Sequence, residues 1–260
     1  MSEDPSQHGR LVIGELALEA LRLGEGRPLL ILHGGGGMEH APYLDALAQH
    51  FEVIAPSHPG FGGSPGPEAI NTIDDLAYLY LDFLRDLARP DAVVMGYSMG
   101  GWIAAEIAVR DTRDFSHLIL VDPVGIKVGD RWTRDIPDVF AMPWEEVTRR
   151  LYHDPERWLP NLEEMSDEQL AIIARNREAL ALYTWEPYMH NPKLKGRLHR
   201  VDVPALLLWG ESDGLVGRAY VEAFAAAIPG ARLETIPEAG HRPYLEQPER
   251  FVQLVRGFAG

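Results

Sequence analysis

The 260-residue sequence predicts an α/β fold, a mostly parallel sheet flanked by helices and interrupted by a helical insertion. Three observations predict it. Strand-length apolar runs alternate with amphipathic, helix-length segments over residues 1–124. The same rhythm resumes over residues 201–260. Between them, residues 125–200 hold no convincing strand but several helix starts. Repeated βα alternation gives a parallel sheet covered on both faces by helices, so residues 1–124 and 201–260 are expected to form one core domain around the insertion.

In chain order, Leu11–Leu23 mixes short apolar stretches with Gly14 and Gly24 and predicts one or two edge strands closed by a turn. Pro28–Leu32 (PLLIL) is an unbroken apolar run before His33 and four glycines, the pattern of a strand buried on both faces. Tyr43, Leu44 and Leu47 give Glu39–His50 helical spacing, and Phe51–Ala55 (FEVIA) reads as a strand leading into a Gly/Pro-rich loop that ends at Pro67. Over Ile73–Leu87 the apolar residues recur at i, i+3, i+4 and i+7, with Thr72 placed to cap the helix. A strand at Asp91–Met95, a small-residue helix at Gly101–Arg110 and a strand at Leu118–Val121 follow. In the insertion, Pro143–Glu146 and Asp154–Glu156 set proline and acids in a first turn, and Ser166 and Gln169 fit a capping box before Leu170–Leu182. The last stretch predicts a strand at Ala205–Trp209, a helix at Gly217–Ile228, a strand at Ala231–Ile236 and a helix at Pro248–Phe258.

Composition narrows the function. With 39 acidic and 24 basic residues the formal charge is −15, which repels phosphate backbones and anionic lipid and argues against nucleic-acid and membrane partners. The charge is uneven: residues 125–200 carry 13 acids and 12 bases and are close to neutral. That stretch also holds four of the six tryptophans, at 132, 144, 158 and 185. No apolar run approaches the roughly 18 residues of a membrane span, and the segment Met1 to Arg10 has no hydrophobic stretch of the kind a signal peptide carries. A chain without cysteine has no disulfide, no zinc–thiolate site and no thiol nucleophile, in keeping with a cytoplasmic location. No HExxH, no paired histidines at helical spacing and no acidic calcium loop occur, so neither metal nor cofactor is expected. Whether the chain is a monomer or a homodimer the sequence leaves open.

Gly-x-Ser-x-Gly occurs three times, at Gly62–Gly66, Gly96–Gly100 and Gly210–Gly214. The chemistry needs serine on a tight strand-to-helix turn, small residues two before and two after, and a following N–H that helps to bind an oxyanion. Ser64 is followed by Pro65, which has no N–H, and no strand precedes it. Ser212 leaves no aspartate between itself and the last histidine beyond Asp213, its own neighbour in a turn-like stretch. Ser98 alone has a strand before it, Gly96 and Gly100 beside it and a helix of glycine and alanine after it.

A serine nucleophile needs a base, and the base an orienting carboxylate. Of ten histidines, His241 stands out, because Ala239-Gly240-His241 follows the last predicted strand; His33 reads as shaping the glycine turn. Two acids follow strands, Asp122 and Asp213, and both satisfy the order Ser…Asp…His. Asp213 is preferred because Gly-Leu-Val after it makes a turn that aims a carboxylate inward, whereas Asp122 precedes Pro123 at the insertion boundary. The glycines after His33 lack the lysine of a P-loop and the spacing of a dinucleotide fingerprint. Gly35 or Gly36, with Met99, would donate to the oxyanion, and the sequence does not separate the two glycines.

His33–Gly37, Pro56–Gly62, Gly96–Gly101, Trp209–Asp213 and Gly240–Pro243 together resemble the α/β-hydrolase superfamily from Leu11 to Phe258. The resemblance implies an eight-stranded sheet, a helical cap over the active site and a triad of Ser98, Asp213 and His241. Serine at 98, in place of aspartate, sets the chain apart from the haloalkane dehalogenase and epoxide hydrolase branches. It is similar to the esterase and meta-cleavage-product hydrolase branch. The C–C hydrolases of that group have tryptophan after the histidine, where this chain has Arg242, which favours plain ester hydrolysis. Lactone and C–C cleavage share the same machinery, and a receptor that retains the triad is the alternative from another class. Trp144 and Trp158 are expected to pack the insertion itself, while Trp185, Tyr188 and Met189 around Pro187 are expected to line the pocket. The near-neutral, aromatic insertion points to a small, uncharged, apolar ester as the substrate.

Overall fold

The computed structural model describes residues 8–260. Residues 1–7, which make up most of the segment expected to lack a hydrophobic stretch, lie outside the described residues. Eight strands form one sheet: β1 (His8–Ile13), β2 (Leu16–Leu23), β3 (Pro28–Leu32), β4 (Glu52–Pro56), β5 (Val93–Tyr97), β6 (His117–Val121), β7 (Ala205–Gly210) and β8 (Arg232–Ile236). Their spatial order is β1-β2-β4-β3-β5-β6-β7-β8. β2 pairs antiparallel with β1 and β4, and every pair from β4 to β8 is parallel.

The unbroken apolar runs are explained by the two faces of this sheet. Leu30 and Leu32 of β3, Leu118 and Leu120 of β6, and Leu207 of β7 enter one core. Their neighbours Leu29, Ile31, Ile119, Val121, Leu206 and Leu208 enter the other. A strand with helices on both sides has no wet face, so alternation disappears from its sequence.

Nine helices accompany the strands among the described residues: α1 (Pro42–Ala48), α2 (Ile73–Leu87), α3 (Met99–Arg110), α4 (Trp144–Leu151), α5 (Pro155–Trp158), α6 (Asp167–Thr184), α7 (Arg218–Ala227), α8 (Pro243–Glu246) and α9 (Pro248–Ala259). α2 and α6 begin with complete capping boxes, Thr72 with Asp75 and Ser166 with Gln169. α3 lies unusually close to the sheet: a side-chain carbon at Gly100 would stand 2.0 Å from the Leu32 carbonyl oxygen. Glycine is the residue that permits such backbone approach. Residues 125–200 contribute α4, α5 and α6, two short 3₁₀ turns and a single bridge between Gly125 and His190.

That bridge lies beside Trp185, Tyr188 and Met189. Met189, at φ +54°, sends its N–H to Thr184 and accepts from Gly125 N–H, so it fastens the end of the insertion to its beginning. The Tyr188 hydroxyl donates to Pro137 O at 2.6 Å and accepts from Val139 N–H at 2.9 Å. Trp185 is 56 % exposed and meets Phe140 edge-on at 5.7 Å. These three close and pack the insertion. Aromatic content shows that a segment must pack, and does not show in which direction.

Candidate active site

Ser98, Asp122, Asp213 and the loop carrying His241 follow β5, β6, β7 and β8, which are neighbours in the sheet. In-register parallel pairing, Tyr97 with Val121 and Val121 with Leu208, delivers all of these segments to one edge. Ligand sites of open α/β sheets lie at this carboxyl edge.

Ser98 occupies the turn from β5 into α3 at φ +51°, ψ −112°. This left-handed conformation is costly for a residue with a side chain, by roughly 1–3 kcal/mol, and persists where the surroundings impose it. Ser98 N–H donates to Val121 O at 2.9 Å, and Ser98 O accepts from Trp102 N–H and Val124 N–H. The small neighbours are obligatory, since a side-chain carbon at Gly96 would stand 2.1 Å from Gly100 O. Gly34 faces the nucleophile: a carbon added there would lie 3.1 Å from Ser98 Cβ and 3.8 Å from its Oγ. Met99 opens α3, so its N–H has no acceptor within the helix. The N–H groups of Gly35 and Gly36 follow Gly34 on the same loop.

His241 Nδ1 is hydrogen-bonded to Asp213 Oδ2 at 2.7 Å, and both side chains are buried. Asp213 Oδ1 accepts from Leu215 N–H and Val216 N–H at 2.7 and 2.9 Å, the turn expected from Gly-Leu-Val. With Nδ1 engaged by a carboxylate, Nε2 is the ring nitrogen left to serve as base. Asp122, the competing acid, is fully buried beside Asp213, and its Oδ1 accepts from Gly210 N–H at 3.0 Å. Burial, and then the charge of Asp213, hold the Asp122 carboxyl well above the usual carboxylate range. Asp122, Asp213 and His241 bring one atom each to within 4.8 Å of one another. A shared ion bound at about 2.0–2.2 Å would push Oδ2 and Nδ1 further apart than their hydrogen bond allows.

The glycine loop rests on two buried histidines. His58 N–H donates to His33 Nε2 at 2.9 Å, so the His33 Nδ1–H donates to Gly34 O at 2.7 Å. His58 Nε2 in turn donates to His33 O, and its Nδ1 accepts from the Tyr80 hydroxyl. Burial lowers the His33 pKa to about 4 and pushes that of His58 well below its ordinary value, so both rings are neutral scaffolding. The two other Gly-x-Ser-x-Gly serines are also structural. Ser64 is buried, donating to Ser57 O and accepting from Glu19 N–H, and Ser212 is hydrogen-bonded to His153 Nδ1.

Several residues around the site carry no motif. Asn176 of α6 donates to Gly36 O and accepts from Gly62 N–H, both at 2.9 Å. Leu180, one turn on, would lie 2.6 Å from a carbon at Gly35 and so roofs the glycine loop. Glu246 accepts from the N–H groups of Gly240, His153 and Asp154, tying the His241 loop to the end of α4. His241 N–H itself donates to Leu151 O at 2.8 Å. The capping box marks where α6 begins, but its partners are set by its docking.

The chain matches the alpha/beta hydrolase family over residues 29–254. It is 28 % identical over 249 residues to a pimeloyl-[acyl-carrier protein] methyl ester esterase of Serratia marcescens, covering 91 % of this chain and 95 % of that one. Among solved structures, 2-hydroxy-6-oxo-6-phenylhexa-2,4-dienoate hydrolase from Rhodococcus sp. strain RHA1 aligns with a TM-score of 0.77 at 23 % identity over 97 % of this chain and 98 % of that one. Carboxylesterase CesB of Bacillus subtilis aligns at 0.72 and 20 %, over 96 % of this chain and 90 % of that one. At these identities the structures show a common fold.

Proposed function

The chain belongs to the alpha/beta hydrolase family, and on that premise we propose that it is a serine esterase acting on a small carboxylic ester through an acyl-enzyme. The hydrogen bond of 2.7 Å from His241 to Asp213, at the sheet edge that also carries Ser98 on its strained turn, is the observation that supports this reading best. Ser98 Oγ attacks the ester carbonyl as His241 Nε2 takes its proton. Asp213 accepts the Nδ1–H and stabilises the imidazolium without itself becoming protonated. The developing oxyanion is held by N–H of Met99 and of Gly35 or Gly36. The alcohol leaves with the proton from His241, and water, deprotonated by the same ring, releases the acid. Residues 125–200 act as a cap, with Leu180 above the glycine loop. The expectation of an uncharged substrate is not carried forward: the insertion is near neutral as a whole, but Arg242 places a cation beside that loop.

The test is labelling and turnover. A fluorophosphonate should add its mass to the tryptic peptide containing Ser98, and Ser98→Ala should hydrolyse aryl acetates and butyrates at least about a thousandfold more slowly. An unlabelled Ser98 in the folded protein, or equal turnover by Ser98→Ala, overturns the reading. A dienoate and a lactone run beside the esters show whether those bonds are cut instead.

A further inference from the structure

Arg242 follows the base directly and turns its side chain under the oxyanion loop. A side-chain carbon at Gly36 would stand 2.8 Å from Arg242 Nη2, so the guanidinium occupies the space that the glycine leaves open. Nη1 donates to the Tyr152 hydroxyl at 2.9 Å, and the guanidinium carbon lies 5.5 Å from the centre of the Tyr152 ring. Among the described residues no carboxylate oxygen lies within 4.0 Å of its nitrogens; Glu39, exposed beyond the glycine run, acts on it only through space. Beside it stands a group of tyrosines, Tyr43 and Tyr97 buried and Tyr244 partly so. Tyr97 and Tyr244 stack at 4.5 Å, and Tyr43 meets Tyr244 at 5.0 Å. The Tyr97 side chain, one residue from the nucleophile, is buried in the core against Tyr43, Tyr244 and Phe251.

A partly buried guanidinium with five N–H donors and one side-chain acceptor has most of its hydrogen-bonding capacity unspent. Leaving such a charge without a counter-ion is costly, and the cost is removed when an anion arrives. The planar fork of arginine matches a carboxylate in two parallel hydrogen bonds. We propose that Arg242, with the Tyr152 hydroxyl, receives a carboxylate carried by the substrate, so that the ester cleaved is a monoester of a dicarboxylic acid. This rests on the esterase reading. The oxyanion N–H groups take the ester carbonyl, and Arg242, beneath the same loop, takes the far end of the acid. The guanidinium is a specificity determinant and takes no part in bond breaking.

The experiment compares monoethyl succinate, glutarate and adipate with ethyl butyrate, pentanoate and hexanoate on the wild type, Arg242→Gln and Arg242→Lys. In the wild type, kcat/KM for the best half-ester should exceed that for its neutral partner roughly tenfold or more, mainly through KM. In Arg242→Gln the ratio should fall towards one, and Arg242→Lys, a point charge without the fork, should keep part of it. A wild-type ratio near one, or a ratio that survives in Arg242→Gln, overturns the proposal. A second measurement needs no turnover: glutarate should bind the wild type in calorimetry and not Arg242→Gln, whose folding is checked by circular dichroism. If glutarate binds and no ester is cleaved, the esterase reading has failed and the carboxylate site stands; if esters are cleaved and glutarate does not bind, the reverse holds.

Discussion

Asp122 and Asp213 bring carboxyl oxygens to within 4.8 Å of each other and of the His241 ring, yet it is Asp213 that hydrogen-bonds Nδ1. Two carboxylates so close and so buried do not both ionise. Burial and the Asp213 charge raise the Asp122 carboxyl well above the usual carboxylate range, and Asp213 Oδ1 accepts from two backbone N–H groups.

Asp122→Asn is therefore expected to retain turnover within about threefold, because it replaces a neutral acid by a neutral amide of the same shape. The folded pKa of Asp122 is raised above its unfolded value, so its stabilisation is full below about pH 4 and is lost as pH rises towards the folded value. The asparagine does not titrate. The melting temperature of Asp122→Asn relative to wild type should thus rise between pH 5 and pH 8, and a gap that is constant with pH would sink the assignment.

His33 and His58 predict the opposite slope on the acid side. Both are neutral when folded and protonate near pH 6.5 when unfolded, so their contribution is full above that pH and is lost as pH falls towards 4. Each depressed histidine steepens the fall by up to about 1.4 kcal/mol per pH unit. Urea midpoints at pH 7.5, 5.5 and 4.5 measure it, and His33→Gln should show the shallower decline whatever its absolute stability.

Glu246 holds the loop of the base through three backbone N–H groups, the shortest of these bonds being 2.6 Å to Gly240. Glu246→Ala leaves them without an acceptor, at about 1–3 kcal/mol for the buried Gly240 N–H. A lowered melting temperature together with a kcat reduced by roughly tenfold is expected, since a misplaced base slows proton transfer. Glu246→Gln keeps one carbonyl acceptor and should lose less on both measures.

Two glycine-to-alanine changes should part company. Gly96→Ala forces a carbon to 2.1 Å from Gly100 O and should yield insoluble protein. Gly257 lies exposed in α9 with nothing within 4 Å of the added carbon, so Gly257→Ala should raise stability by about 0.5–1 kcal/mol, read from the denaturation midpoint.

What could be read from the chain were patterns with a local cause. PLLIL is a strand because an unbroken apolar run of five fits little else between turns. Thr72 with Asp75 and Ser166 with Gln169 cap their helices by contacts three residues apart. The choice of Ser98 over Ser64 and Ser212 needed the strand before it, the glycines around it and the helix directly after it. Helix α8 and the 3₁₀ turn at Lys195–Arg200 are too short to show a period in the sequence.

The sequence by itself determined the alternation of strands and helices and the strand-to-helix turn at Ser98. Sequence order permits both Asp122 and Asp213 and the turn after Asp213 favours it; the tertiary packing shows that Asp213 reaches His241 Nδ1 while Asp122 is buried beside it. It decided that Trp185, Tyr188 and Met189 close the insertion while Asn176 and Leu180 cover the glycine loop. It also placed Arg242 beside that loop with no carboxylate in contact among the described residues, a juxtaposition of residues some two hundred positions apart. Local patterns record the face a residue must hide, and the partner it meets there depends on how whole elements dock.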